Sequence, residues 1–201
     1  MKLLILFGGL SSEHEVSRVS ASSIVRNADK EKYELVTVGI TKDGRWLLYE
    51  NADPDKMASG VWEQEANVPA MLVPDRAVHG LVVLREGVAE TIRIDCCFPV
   101  LHGFGGEDGT VQGLLTLAGI PFVGPGVAAS ADSMDKSLTK VIVDRAGVRQ
   151  AAYYVALRPD FENSPDTVLQ AAMDTLKQFP VFIKPCSSGS SVGVHKAADL
   201  D

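Results

Sequence analysis

The chain has 201 residues, of which 46% are hydrophobic, and a formal net charge of −7 at pH 7. This length and apolar content allow one large or two small domains with buried cores, which argues against a disordered protein. The acidic balance argues against a surface that neutralises nucleic-acid phosphates or anionic lipid, so we expect neither nucleic acid nor a membrane as a partner.

Strand-like and helix-like segments alternate along the chain, which predicts an α/β fold with a largely parallel sheet. The first strand covers residues 2–7, and after the Gly8-Gly9 turn a helix begins near Glu15. The second strand, "YELVTVGI", is followed by "TKDGRWLLY", whose Asp43-Gly44 pair is typical of a hairpin turn. Residues 51–74 show no clear periodicity and predict an irregular excursion.

A second predicted hairpin, "LVVLREGVAETIRI", turns at Glu86-Gly87 and leads into the apolar run "IRIDCCFPVL". That run predicts a buried parallel strand, so we assign Cys96 and Cys97 to core packing rather than to catalysis or metal binding. Apolar residues at helical spacing then predict a helix that ends at Gly119, and the short strand "IPFVG" closes the first unit.

The Gly-Pro-Gly sequence within residues 124–130 interrupts both periodicities and predicts a boundary between domains 1–125 and 126–201. The second domain has an apolar helical stripe that ends at Gly147 and a helix that follows Ser164-Pro165-Asp166. Its remaining predicted elements are a strand at 181–184, a loop at 185–191, a strand at 192–194 and the start of a helix over 197–201.

Two features indicate a cytoplasmic protein. No stretch approaches the roughly 20 apolar residues that span a bilayer, and the apolar run at residues 3–7 is shorter than the core of a signal peptide. The three cysteines do not make a disulfide framework, which fits a reducing compartment. The four histidines have no spacing typical of a zinc site, so no metal site is predicted in this chain.

The loop "PCSSGSS" follows Lys184 and is suited to a nucleoside triphosphate. Its backbone N–H groups and hydroxyls can face phosphate oxygens, while the ammonium of the lysine adds positive charge. The loop is not a Walker A motif, because that motif places its lysine at the start of a helix. An ordinary flexible hairpin loop is the alternative, and the spacing alone leaves both open.

The loop "GGLSSEHEVS" follows the first strand but lacks the G-x-G-x-x-G fingerprint, and its carboxylates would repel a pyrophosphate. A helix N-terminus stabilises a carboxylate, which is the interpretation we favour for Glu15. For Glu13, binding of a substrate ammonium is an equal alternative.

The segment "LHGFGGEDGTVQG" is a poor phosphate cradle because it contains Glu107 and Asp108, and one acidic pair is too few ligands for calcium. These acids can charge and cap the first turn of the next helix. His102 follows a strand end, where open α/β sheets bind ligands, although a lone histidine is more often structural.

Four motifs together resemble the D-alanine:D-alanine ligases of the ATP-grasp superfamily: "GGLSSEHEVS", "LHGFGGEDGTVQGLLTLAGIPFVG", "SADSMDKSLTK" and "FIKPCSSGSSVGV". They occur in this order across nearly the whole chain. The resemblance implies a Rossmann-like N-terminal domain followed by an incomplete ATP-grasp domain. It further implies ATP-driven ligation of two D-alanines through an acyl phosphate, for cell-wall precursors.

The resemblance also implies roles for single residues. Glu13 would hold the ammonium of the first D-alanine, Ser190 would hydrogen-bond with Glu13, and His102 would lie beside the same substrate. Lys136 and Lys184 would meet ATP phosphates, covered by the loop residues Ser187, Ser188, Gly189, Ser190 and Ser191. The Mg²⁺ ligands of the family lie further along the chain, so we expect the 201 residues to be inactive alone.

Three alternatives remain at the level of the sequence. The ligase could use D-lactate or D-serine in place of the second D-alanine, because the segment that selects it is absent from these 201 residues. The chain could also be a non-catalytic module that binds a small amino acid or a partner protein. The resemblance is compatible with a homodimer.

Overall fold

The computed structural model describes residues 1–199, and it divides the chain into a compact unit Met1–Ala131 and a second unit that begins at Asp132. The division lies within the helix Val127–Met134 and close to the Gly-Pro-Gly sequence. No helix in the described part of the chain is long and apolar enough to cross a membrane.

The first unit is built on a mixed sheet of seven strands in the order β6-β5-β4-β3-β2-β1-β7. The strands are β1 (Lys2–Gly8), β2 (Glu34–Ile40), β3 (Trp46–Leu48), β4 (Val68–Leu72), β5 (Gly80–Arg85), β6 (Val88–Arg93) and β7 (Cys96–Pro99). β1 lies in the middle of the parallel part, between β2 and β7. The other strands pair antiparallel. The predicted α/β class is confirmed, with the parallel part limited to three strands.

The helices of the first unit are α1 (His14–Asn27), α2 (Pro54–Ser59), α3 (Trp62–Glu65), α4 (Thr110–Ala118) and α5 (Val127–Met134), the last of which crosses the division. The prediction of an irregular segment at 51–74 is wrong, because that segment forms α2, α3 and β4. Asp53 caps α2 by accepting from the N–H groups of Asp55 and Lys56, and Gly60 ends the helix in a left-handed conformation. Both helices are too short to show periodicity, but the capping residues of α2 are visible in the sequence.

The core of the first unit lies on both faces of the sheet, because successive residues of β1 alternate between the two faces. Leu4 and Leu6 belong to one apolar cluster, and Ile5 and Phe7 belong to the other. Cys97 is fully buried in the first cluster, and burial raises the pKa of its thiol well above the ordinary value. The predicted strand "IPFVG" makes only a single bridge to β7.

The second unit contains α6 (Lys136–Arg145), α7 (Arg158–Asn163), α8 (Pro165–Leu176), β8 (Val181–Ile183) and β9 (His195–Ala197), with β8 and β9 antiparallel. Within residues 132–199 the one buried residue is Val168, which is 8% exposed. Apolar residues of α6 and β8, such as Val141 and Phe182, are each 60% exposed.

Two sequence expectations in the second unit differ from the structure. The predicted strand at 192–194 is wrong: the second strand is β9, three residues further along. Ser190 and Ser191 adopt left-handed backbone conformations, which lengthen the turn, and strand pairing begins at His195. Of the predicted helix start at 197–201, Ala197 ends β9, and residues 200–201 lie outside the described residues.

Candidate functional site

The loop between β1 and α1 is tightly held at its base. Gly8 and Gly9 both have positive φ, at 88° and 97°, and a side chain at Gly8 would clash with the carbonyl of Ile40. The Gly9 N–H donates to that carbonyl at 2.8 Å, and the Gly8 N–H donates to Ser17 Oγ at 2.8 Å. The close approach of the loop to β2 therefore requires glycine at position 8, and the positive φ favours glycine at position 9.

Glu13 lies at the N-cap position of α1, yet its side chain makes no capping hydrogen bond to that helix. Its Oε2 instead lies against the β7–α4 loop, where a Cβ added to Gly103 would meet it at 2.8 Å. A carboxylate in this position faces the loop that contains His102 rather than the amides of its own helix. The Glu13 side chain therefore does not cap α1 by a hydrogen bond, and its binding of a substrate ammonium stays a prediction.

Ser11 joins the two loops, and the sequence did not single it out. Its Oγ donates to the His102 carbonyl at 2.7 Å and accepts from the Glu13 N–H at 3.1 Å. Both loops leave the carboxyl ends of the parallel strands β1 and β7, which is the edge where open α/β sheets bind ligands. A serine two residues before the carboxylate was the only local signal available.

The His102 side chain is 29% exposed and lies between α1 and its own loop. Its Nε2 is 3.2 Å from Ser20 Oγ, and its Nδ1 is 3.9 Å from Glu107 Oε1. The imidazole is therefore oriented by one residue on each side while part of it stays accessible. The structure thus brings together Glu13 and the segment that contains His102.

Glu107 and Asp108 fold the β7–α4 loop upon itself. The Gly103 N–H donates to Glu107 Oε2 at 2.8 Å, and Asp108 accepts from the N–H groups of Gly105 at 2.8 Å and Thr110 at 3.0 Å. Partial burial acts to raise the pKa of Asp108, but the backbone donors outweigh burial, so the pKa lies below its usual value. Glu107 and Asp108 therefore accept from backbone N–H groups that a bound phosphate would need.

In the second unit, Lys136 contacts the loop of residues 185–191, called the Ser/Gly loop below. It is the first residue of α6, whose N-cap Asp135 accepts from the Ser137 N–H at 2.8 Å. The Lys136 N–H donates to the Cys186 carbonyl at 3.0 Å, and its Nζ donates to the carbonyls of Cys186 and Ser188. Lys136 and the predicted nucleotide loop are therefore neighbours.

The Ser/Gly loop has two consecutive left-handed residues, Ser190 and Ser191, with φ of 45° and 60°. The Val192 N–H donates to the Gly189 carbonyl at 3.0 Å, and Ser188 Oγ donates to the Val192 carbonyl at 3.3 Å. Ser187, at the start of the loop, is exposed.

Residues 184–194 contain no carboxylate, so hydroxyls and ammonium groups define the chemistry of this loop. This donor set fits an anion such as the phosphate chain of ATP. The ammonium of Lys184 lies 5.9 Å from the centroid of the Phe182 ring.

The described residues do not provide a metal site. No group of three or more His, Cys, Asp or Glu side chains within residues 1–199 is arranged to hold a metal ion. The described part of the chain therefore does not fit the Mg²⁺ that the resemblance implies. Glu13 and Ser190 lie in different units, and the predicted hydrogen bond between them stays a prediction.

Comparison with known proteins gives a consistent result. A family model described as "D-ala D-ala ligase N-terminus" matches residues 2–125, and one described as "D-ala D-ala ligase C-terminus" matches residues 142–201. The chain is 46% identical to a D-alanine–D-alanine ligase of Caldicellulosiruptor bescii, over all of this chain and 54% of that protein. It is 46% identical to one of Clostridium novyi, over 98% of this chain and 53% of that protein.

Among solved structures, the D-Ala:D-Ser ligase VanG from Enterococcus faecalis superposes with a TM-score of 0.85 at 34% identity. The match covers 99% of this chain and 56% of that chain. The chain thus spans about half the length of the curated relatives it matches.

Proposed function

We propose a function from one premise: the chain belongs to the D-alanine–D-alanine ligase family. The longer protein that contains it joins two D-alanines into D-alanyl-D-alanine, with hydrolysis of ATP to ADP, in the supply of peptidoglycan precursors. The observation that carries this proposal is the Glu13 carboxylate, which lies against Gly103 beside His102 at the carboxyl edge of the parallel strands.

Glu13 binds the first D-alanine through its ammonium group. The ion pair is favoured because the carboxylate is half-buried and faces a glycine instead of a bulky side chain. The absence of a side chain at Gly103 lets the Glu13 carboxylate lie against the backbone of the β7–α4 loop. Ser11 keeps the two loops at a fixed separation. His102 lies beside this substrate, with its ring oriented by Ser20 and Glu107.

The Ser/Gly loop binds the phosphates of ATP. Lys184 contributes positive charge, and the loop residues 187–191 supply hydroxyls and backbone N–H groups. Lys136 keeps the loop in place through two of its carbonyls and adds its own charge close by. No carboxylate in the loop opposes the bound anion.

The reaction that fits these two sites begins with transfer of the γ-phosphoryl group to a carboxylate oxygen of the first D-alanine. The deprotonated amine of the second D-alanine then attacks the carbonyl carbon, and inorganic phosphate leaves as the peptide bond forms. Ligases of this family use Mg²⁺, which neutralises phosphate charge when bound. Its ligands are expected outside the residues described here, since those residues offer no metal cluster.

D-serine as the second substrate is the competing specificity, because a D-Ala:D-Ser ligase superposes closely on this chain. The residues described here are assigned to the first substrate and to ATP. A D-Ala:D-Ala ligase and a D-Ala:D-Ser ligase would therefore use these residues in the same way. D-lactate is the remaining alternative and is tested in the same assay.

The test is a product assay on the full-length protein with ATP, Mg²⁺ and D-alanine, with D-serine or D-lactate added in separate reactions. We expect ADP and D-alanyl-D-alanine, identified by mass spectrometry. A mixed product in preference to D-alanyl-D-alanine would reassign the second substrate. No product and no ADP with any of the three would refute the ligase function and favour a binding module.

A further inference from the structure

His14 is a fully buried polar residue for which the proposed reaction has no role. Its side chain is 1% exposed, although it follows Glu13 directly in the chain. Burial of an imidazole is unfavourable unless its nitrogens have partners, so the partners indicate what the residue does.

The two ring nitrogens of His14 face different elements. Nδ1 lies 2.8 Å from the Gly9 carbonyl, and since a carbonyl oxygen only accepts, Nδ1 carries the hydrogen. Nε2 lies 3.5 Å from Oε1 of Glu63 on α3. The ring is thus held between the β1–α1 loop and a helix outside that loop.

The helix α3, which carries Glu63, is fixed by packing. Its neighbour Trp62 is fully buried, and the Trp62 ring contacts Phe7 of β1 edge-on with centroids 4.8 Å apart. α3 therefore cannot shift without disturbing the core. A carboxylate only accepts, so Glu63 orients the imidazole through a hydrogen on Nε2, from a helix whose position the core fixes.

The hydrogen bond between His14 and the Gly9 carbonyl restrains the loop that leads to Glu13. The Gly9 N–H donates to the Ile40 carbonyl while the Gly9 carbonyl accepts from His14, so both backbone polar groups of this residue are tied to the body of the unit. Two consecutive glycines at positive φ are otherwise the most adaptable part of the segment. The contact with His14 removes that freedom.

We propose that His14 is a positioning residue for the first-substrate site: it holds the Gly9 carbonyl, Glu63 orients its ring, and the pair fixes the loop that carries Glu13. The expected kinetic effect rests on the proposed function. The restraint on the loop can be measured whether or not the protein is a ligase.

The kinetic test uses the full-length protein and the variants His14→Leu, His14→Asn, Glu63→Ala and Ser22→Ala. Leucine fills the volume without a donor, whereas asparagine keeps an N–H near the position of Nδ1. We expect His14→Leu to lower kcat/KM for the first D-alanine about ten- to a hundredfold with the KM for ATP unchanged, since small misplacements near reacting groups cost this much. His14→Asn should recover most of the loss.

Ser22→Ala is the matched control, because Ser22 is a buried polar residue of α1 whose hydroxyl donates to the Val19 carbonyl of its own helix. Glu63→Ala covers the case in which His14→Leu fails to fold, since the Glu63 side chain is 36% exposed. It should lower kcat/KM for D-alanine in the same direction. A normal D-alanine dependence in both His14→Leu and Glu63→Ala, with only a lower melting temperature, would overturn the proposal.

Hydrogen exchange on the full-length protein separates this inference from the proposed function. We expect the Gly9 amide to exchange faster in His14→Leu than in the unmodified chain, and Ser22→Ala to leave it unchanged. If the full-length protein makes no dipeptide, the ligase function fails, while faster exchange at Gly9 still supports the restraint. Unchanged exchange at Gly9 overturns the restraint whatever the kinetics show.

Discussion

Replacing Gly103 by alanine tests the geometry of the first-substrate site most directly. Gly103 has φ of +65°, and an added Cβ would meet Glu13 Oε2 at 2.8 Å, closer than two such atoms can approach. The backbone conformation alone costs about 1–2 kcal/mol for a residue with a side chain. The contact adds a second cost, because either the Glu13 carboxylate or the loop must move.

Gly105→Ala is the control for the backbone cost. Gly105 lies in the same loop with φ of +80°, and an added Cβ there has no atom within 4 Å. Both variants should therefore lose about 1–2 kcal/mol of unfolding free energy from strain. Gly103→Ala alone should also lower kcat/KM for the first D-alanine in the full-length protein, roughly ten- to a hundredfold for a carboxylate displaced by about 1 Å.

The assay is steady-state kinetics of the full-length protein with D-alanine and ATP varied separately, alongside thermal melts of both variants. The difference between the two variants isolates displacement of Glu13, because strain is common to both. Equal kcat/KM values for D-alanine in Gly103→Ala and Gly105→Ala would refute the assignment of Glu13 to the substrate ammonium.

In the full-length enzyme, Glu13→Gln should cost roughly 2–5 kcal/mol in kcat/KM for the first D-alanine; a loss of only about 0.3–1 kcal/mol of stability would indicate helix stabilisation instead. Lys184→Ala should cost about 1.5–3 kcal/mol, seen in the ATP dependence, and unchanged ATP kinetics would leave a flexible hairpin. Because the folded pKa of Asp108 is lowered from 3.8, its contribution to stability is present above that pH and is lost as the pH falls through the folded pKa. The melting temperature of Asp108→Asn should therefore lie below that of the unmodified chain at pH 7 and approach it in acid.

The hairpins and the first strand could be predicted because their signals are local. Asp43-Gly44 and Glu86-Gly87 occur at the predicted turns, and the latter pair has the two positive φ values that such a turn needs. α2 and α3 could not be found from periodicity, since each is shorter than two turns. The position of β9 depends on the left-handed backbone at Ser190 and Ser191, which residues with side chains rarely adopt.

The sequence predicted which loops form the candidate site, but it did not predict the contacts that hold these loops. The sequence motifs indicated Glu13, His102 and the Ser/Gly loop as separate features. The contact of Lys136 with Ser188 joins residues 52 positions apart, and that of Ser11 with His102 joins residues 91 apart. Local spacing carries no information about such pairs, so only the fold reveals that Ser11 fixes one loop and Lys136 the other.

The two regions also differ in what holds them in place. The β1–α1 loop leaves a strand whose residues Leu4 to Phe7 are completely buried, so its base moves only if the core of the first unit is disrupted. The Ser/Gly loop belongs to a unit in which Val168 is the one buried residue among residues 132–199. Few buried apolar contacts correspond to low local stability, and the hydrogen bonds from Lys136 are then a large share of what orders this loop. The β1–α1 loop is therefore held by the core of the first unit, whereas the Ser/Gly loop is held by hydrogen bonds, among them those from Lys136.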